Sequence, residues 1–122
     1  MVLKVKWIDF KSQIDEYIIE GEALVEKYKS SRSENDLESL KEEKQCWESE
    51  VIDYVKTSFE PEHTNFRYEF KAQRGFNTGF KLGVDQRIKN IIQALKDEIN
   101  GLDYYLKMLF ISDAIIRAEE IN

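Results

Sequence analysis

The chain has 122 residues, 42% of them hydrophobic and 34% charged, with one Pro, five Gly and one Cys. That length suits a single domain, residues 1–122, with its own hydrophobic core, and the scarcity of turn-forming residues argues against an all-β protein. The formal charge of −6 argues against a general nucleic-acid or anionic-membrane binder, and the lone Cys46 excludes an intramolecular disulfide or a Cys-cluster metal site. The sequence contains no uncharged apolar run long enough to span a bilayer. Lys4, Lys6, Asp9 and Lys11 interrupt any signal-peptide core near the start. The expected compartment is the cytoplasm, whose reducing environment suits an unpaired thiol.

The first predicted element is a helix over residues 6–29. Trp7, Phe10, Ile14, Tyr17, Gly21, Leu24 and Tyr28 recur at alternating spacings of three and four, widened by Ile18 and Val25, as in an amphipathic helix. Gly21 falls on the apolar stripe, where it weakens the helix by ~1 kcal/mol relative to Ala. It either permits a close helix crossing or is a tolerated defect. Ser33 followed by Asp36 resembles a capping box and opens a second helix over 34–58, with Leu37, Leu40, Lys44, Trp47, Val51 and Tyr54 or Val55 inward. The short connection predicts an antiparallel hairpin.

Pro61 ends the second helix. In Phe66-Arg67-Tyr68-Glu69-Phe70, aromatic and charged residues alternate, which is a strand signal. No partner strand is evident, and an extended loop or the start of the next helix fits equally. A third helix is predicted over 80–100, with Val84, Ile88, Ile91, Leu95 and Ile99 on one face. Gly101 either closes it as a C′ residue or is passed through, since Leu102, Tyr105, Leu106, Leu109 and Phe110 keep the spacing. Ser112 or Asp113 caps a final short helix containing Ile115, Ile116 and Ile121. The fold class is therefore all-α: an antiparallel bundle of three long helices plus a short C-terminal helix, with an irregular segment at about 59–79.

No catalytic or metal-binding motif emerges. The single His63, between Glu62 and Thr64, reads as an ordinary surface histidine. HExxH metalloprotease motifs and di-iron Glu-x-x-His pairs need more histidines than the chain has. Glu16, Glu20, Glu22 and Glu26 lie on a solvated helix face. Glu69-Phe70-Lys71 forms an E-x-K triplet but lacks the sheet that nuclease chemistry requires. Gly75, Gly79 and Gly83 recur every four residues, which is neither a dinucleotide nor a Walker spacing. They are either a small-residue strip on a helix or flexible loop positions. Cys46, beside Trp47, reads as a small packed hydrophobe. No cofactor or metal is predicted, and the chain is read as non-enzymatic.

One segment departs from the average. Arg67, Lys71, Arg74, Lys81, Arg87 and Lys89 oppose only Glu69 and Asp85, a surplus of +4 in a chain of net −6. Phe66, Tyr68, Phe70, Phe76 and Phe80 interleave with them. Cations with stacking aromatics suit a nucleotide or single-stranded nucleic acid, and Arg67, Phe70, Lys71, Arg74, Phe76, Lys81 and Arg87 are the candidate binding residues. The alternative makes the aromatics core and the cations partners for the acidic helices. The apolar run Leu102–Ile116, with Tyr105, Leu109 and Phe110, exceeds what two preceding helices need to cover. It marks a candidate interface for a homodimer or a protein partner.

Glu20-Gly21-Glu22 followed by Leu24, the central Trp47 helix, and Phe80-x-x-Gly83 leading into Arg87-Ile88-Lys89-Asn90-Ile91-Ile92-Gln93-Ala94-Leu95 together resemble the helical N-terminal modules that precede TIR-like effector domains in bacterial defence-associated proteins. The resemblance covers roughly residues 5–102 and brings no catalytic motif. It implies a fragment or stand-alone version, with a role in oligomerisation or partner sensing. The expected function is thus a non-enzymatic helical interaction or oligomerisation module, with a regulatory part in such a system implied by the resemblance. The alternative is a ligand- or nucleic-acid-binding protein using the 66–89 segment.

Overall fold

The computed structural model describes residues 2–71 and 83–111, of which 82% are helical. The elements are β1 (Val2–Leu3), α1 (Trp7–Lys29), α2 (Glu34–Thr57), β2 (Phe59–Glu60), α3 (Phe66–Lys71) and α4 (Val84–Ile111). The bundle of packed helices agrees with the predicted all-α class. The irregular stretch needs correction within the described residues. It holds a strand, β2, which pairs antiparallel with β1, and a short helix, α3. Residues 72–82, and the predicted C-terminal helix beyond Ile111, lie outside the described residues.

The apolar spacing accounts for the first two helices. Phe10, Ile14, Tyr17, Gly21, Leu24, Val25 and Tyr28 are the buried face of α1. The capping box at α2 forms as read: the Asp36 amide donates to Ser33 Oγ at 3.3 Å, and Asp36 Oδ2 accepts from the Ser33 amide at 3.1 Å. The Arg32 amide also donates to this carboxylate, at 2.7 Å. Hydrogen bonds from the Arg32 and Ser33 amides outweigh slight desolvation and hold the Asp36 carboxyl below its usual range. Four residues, Ser30 to Ser33, reverse the chain, and Lys27 reaches across to Glu43.

Direction of packing follows from named contacts. The Trp7 ring lies 6.3 Å from Phe110, and a Cβ on Gly21 would meet Ile99 Cγ1 at 2.9 Å, so α1 runs antiparallel to α4. Phe10 stacks on Tyr54 at 5.7 Å, so α1 is antiparallel to α2 as well. α2 and α4 therefore run parallel to each other. α3 packs against both α2 and α4. Gly21 is a close crossing rather than a defect, since its hypothetical Cβ would also fall 2.7 Å from Trp47 Cζ2.

The alternation at 66–70 does not make a strand. Phe66 and Phe70 are buried and stacked on each other at 5.6 Å, while Tyr68 is 73% exposed. In a strand Tyr68 would share the face of Phe66 and Phe70, whereas in a helix positions four apart share a face and the residue between them points away, as Tyr68 does. Gly101 does not stop α4, which continues to Ile111. Burial of Leu102, Leu106 and Leu109 offsets the ~1 kcal/mol that Gly costs in a helix interior.

The core joins all three long helices. Of the residues expected in it, Ile14, Leu24, Trp47, Val51, Ile88 and Leu95 are buried, and Trp7 and Ile91 are packed at its margin. Leu95 is fully enclosed. Leu95→Ala should therefore destabilise the fold by ~2–5 kcal/mol, through lost transfer energy and the cavity left behind. Urea denaturation followed by circular dichroism measures this, and a loss below ~0.5 kcal/mol, the level of surface substitutions, would contradict the packing.

Candidate functional site

Two surfaces stand out, and the first is a cleft between α2 and α4. Its volume is about 390 Å³. Lys41 and Lys44 of α2, Lys71 at the end of α3 and Arg87 of α4 line it, together with Glu38, Glu48 and Tyr28. Four cations against two carboxylates make it locally positive in a chain of net −6. Lys41 and Lys44 face it because α2 turns by one helical step between them, and Arg87 because it lies one turn before Ile91 on α4.

At the inner end of the cleft two acids are buried. Glu48 is 2% exposed and Glu98 4%. The Lys44 ammonium lies 3.2 Å from Glu48 Oε2, and Lys71 lies 3.6 Å from Oε1. Glu98 also hydrogen-bonds to Glu48. A bond between two carboxyl groups needs one proton between them. Desolvation pushes the Glu48 carboxyl up. The Glu98 hydrogen bond and the charges of Lys44 and Lys71 outweigh that and hold it below its ordinary value. Burial, with the nearby Glu48 and Glu43 charges, pushes the Tyr28 hydroxyl up to about 12, so it remains a donor at neutral pH.

The predicted binding residues divide. Lys71 and Arg87 come together at the cleft, and both are already paired, Arg87 with Glu34 of α2. Phe70 is not an open stacking platform: it is 5% exposed, with its ring 5.8 Å from Trp47. Arg67 is exposed on α3. Arg74, Phe76 and Lys81 lie outside the described residues. Within the described part, Lys71 and Arg87 pair with acids of α2, and Phe66 and Phe70 enter the core while Tyr68 stays exposed. Glu48 and Glu98 were not singled out from the sequence. The signal was there in Glu98, which stands on the apolar stripe between Leu95 and Leu102, a position where a charge needs a partner.

Two single residues also differ from expectation. His63 is enclosed rather than superficial, its side chain 12% exposed. It stacks on Tyr105 at 6.1 Å and meets Phe59 edge-on at 5.7 Å. The turn after β2 folds it over α4, where the ring fills space between aromatic neighbours. Cys46 is exposed and not packed, because Trp47 takes the inward position and the next residue round the helix points away. Among the described residues no group of three or more His, Cys, Asp or Glu could hold a metal ion.

No protein-family model, curated protein or solved structure matches this chain. Among the described residues no helix is long and apolar enough to cross a membrane.

The second surface is the end of the bundle where α1 begins and α4 finishes. Ile8 is 67% exposed, Phe110 66% and Tyr104 64%, with Met108 and Val2 also open. Phe110 leans on Trp7. The other two predicted interface residues belong to the molecule's own interior. Leu109 is in the core. Tyr105 packs between His63 and Phe66, 5.0 Å from the latter. Its hydroxyl is buried without a hydrogen-bond partner among the described residues, and burial pushes its pKa far up, with Glu69 adding to the shift. α4 turns by about 100° per residue, so Leu109 faces inward while Met108 and Phe110 on either side of it do not.

Proposed function

We propose that the chain is a non-enzymatic helical interaction module that associates through the end formed by the start of α1 and the last turns of α4. The observation that carries this is that Ile8, in the first turn of α1, and Tyr104, Met108 and Phe110, in the last turns of α4, are four of the large hydrophobic side chains left exposed among the described residues. Buried on a partner, each contributes ~1.5–3 kcal/mol, and clustered exposed apolar residues mark association surfaces. Two further features support a non-catalytic role: the only histidine is held by aromatic packing, and the buried acids are engaged with lysines and with each other. The partner we favour is a second copy of the chain, in the cytoplasm, where an exposed unpaired thiol stays reduced. A regulatory place in a bacterial defence-type system is in keeping with the resemblance noted in the sequence.

Light scattering tests this. The single-chain mass is 14.5 kDa, and at high micromolar concentration the wild type should show twice that. Met108→Glu with Phe110→Glu should restore the single-chain mass while leaving the helical circular-dichroism signal intact. A wild type of single-chain mass throughout would refute self-association.

A further inference from the structure

We propose that the cleft between α2 and α4 is a binding site for a small phosphate monoester. The inference goes beyond the association surface and is independent of it, since the cleft lies away from the α1 start and the α4 end.

Three elements each aim a cation at one concavity: Lys41 from α2, Lys71 from α3 and Arg87 from α4. Lys44 adds a fourth, and Glu38 and Glu48 oppose them. Internal pairing does not exhaust these cations. Lys44 and Lys71 share the single Glu48 carboxylate, Arg87 Nη1 meets Glu34, and Lys41 pairs with no carboxylate among the described residues. An ammonium has three donors and a guanidinium five, so donors remain on every one of the four. Buried Tyr28 forms part of the cleft wall.

The geometry selects the ligand class. A planar carboxylate presents two oxygens, whereas a phosphate monoester presents three outward from one centre, matching cations that arrive from three elements. Arg and Lys are the residues suited to that group, the first as a fork and the second as a point charge. A volume of about 390 Å³ falls at the low end of small-molecule pockets. A long polyanion would be repelled by the acidic remainder of the chain. Glu48 has a definite part here: held between Lys44 and Lys71, it keeps both ammonium groups at the cleft in the absence of ligand.

The test is calorimetric titration of the full chain with AMP, inorganic phosphate and adenosine. AMP should bind, and more weakly as salt is raised; adenosine should not. Lys41→Gln and Arg87→Gln should each weaken AMP about tenfold or more, as loss of a charged hydrogen bond does. Lys29→Gln, exposed on α1 outside the cleft, should change nothing. Arg87→Gln removes the partner of Glu34, so its fold is checked by circular dichroism; if it unfolds, Lys41→Gln, which breaks no ion pair, decides. No AMP binding at millimolar concentration overturns the proposal. So does binding of inorganic phosphate without AMP, or binding that Lys41→Gln leaves unchanged.

Discussion

Trp47→Ala is expected to be among the most damaging single substitutions, at ~3–5 kcal/mol. The indole lies where α1, α2 and α3 meet. It is 4% exposed, its ring is 5.8 Å from Phe70, and its Nε1 donates to the Tyr17 carbonyl at 2.9 Å. Gly21, four residues beyond Tyr17, has no side chain to cover that carbonyl. The two positions should therefore be coupled. In the wild type, Gly21→Ala gains helix propensity of ~1 kcal/mol but places a Cβ 2.7 Å from Trp47 and 2.9 Å from Ile99, an overpacking that costs ~1–3 kcal/mol. In the Trp47→Ala background the first clash disappears, and Gly21→Ala should become neutral or stabilising. Denaturant midpoints of the four proteins in this double-mutant cycle measure the coupling. Additive losses would mean that the two helices do not meet at Gly21.

Glu48→Gln should cost about 2–3 kcal/mol at neutral pH. Breaking a fully buried ion pair costs ~3–5 kcal/mol; the figure is lower here because Lys44 and Lys71 keep some access to water, their side chains being 16% and 26% exposed. The effect carries a definite pH dependence. The Glu48 carboxyl is held below its ordinary 4.5 in the folded chain, so on acidification the unfolded chain takes up the proton first. The stability from Glu48 is then fully present above about pH 4.5 and is lost as pH falls through the lower folded value. Thermal midpoints of wild type and Glu48→Gln should converge on acidification below pH 4.5 and differ most near neutrality. A constant difference across that range would show that the charge of Glu48 is not what matters.

Local pattern carried most of the fold. The three-and-four spacing of large apolar residues determines α1 and α2 to within a residue of their ends, because one buried stripe needs one helical period whatever it packs against. The Ser33–Asp36 cap is equally local, since both hydrogen bonds lie within four residues. Tertiary structure decided the rest. The sequence 66–70 supports a strand or a helix, and the α2–α4 groove selected a helix, because it buries Phe66 and Phe70 together while a strand there has no partner. Gly101 reads equally as a stop or as a residue passed through, and the core that Leu102, Leu106 and Leu109 enter decides for the second. His63 has a surface context in sequence, and only the return of the chain across α4 encloses it. The Glu48–Glu98 pair is the clearest case. The two acids are 50 residues apart, each looks like one more charge in an acidic chain, and their burial is tolerated because α1 and α3, each packed against both α2 and α4, bring them together while Lys44 and Lys71 supply the opposing charge. Helical period is a property of neighbours along the chain, but the placing of charges in a core depends on which helices the tertiary structure brings together.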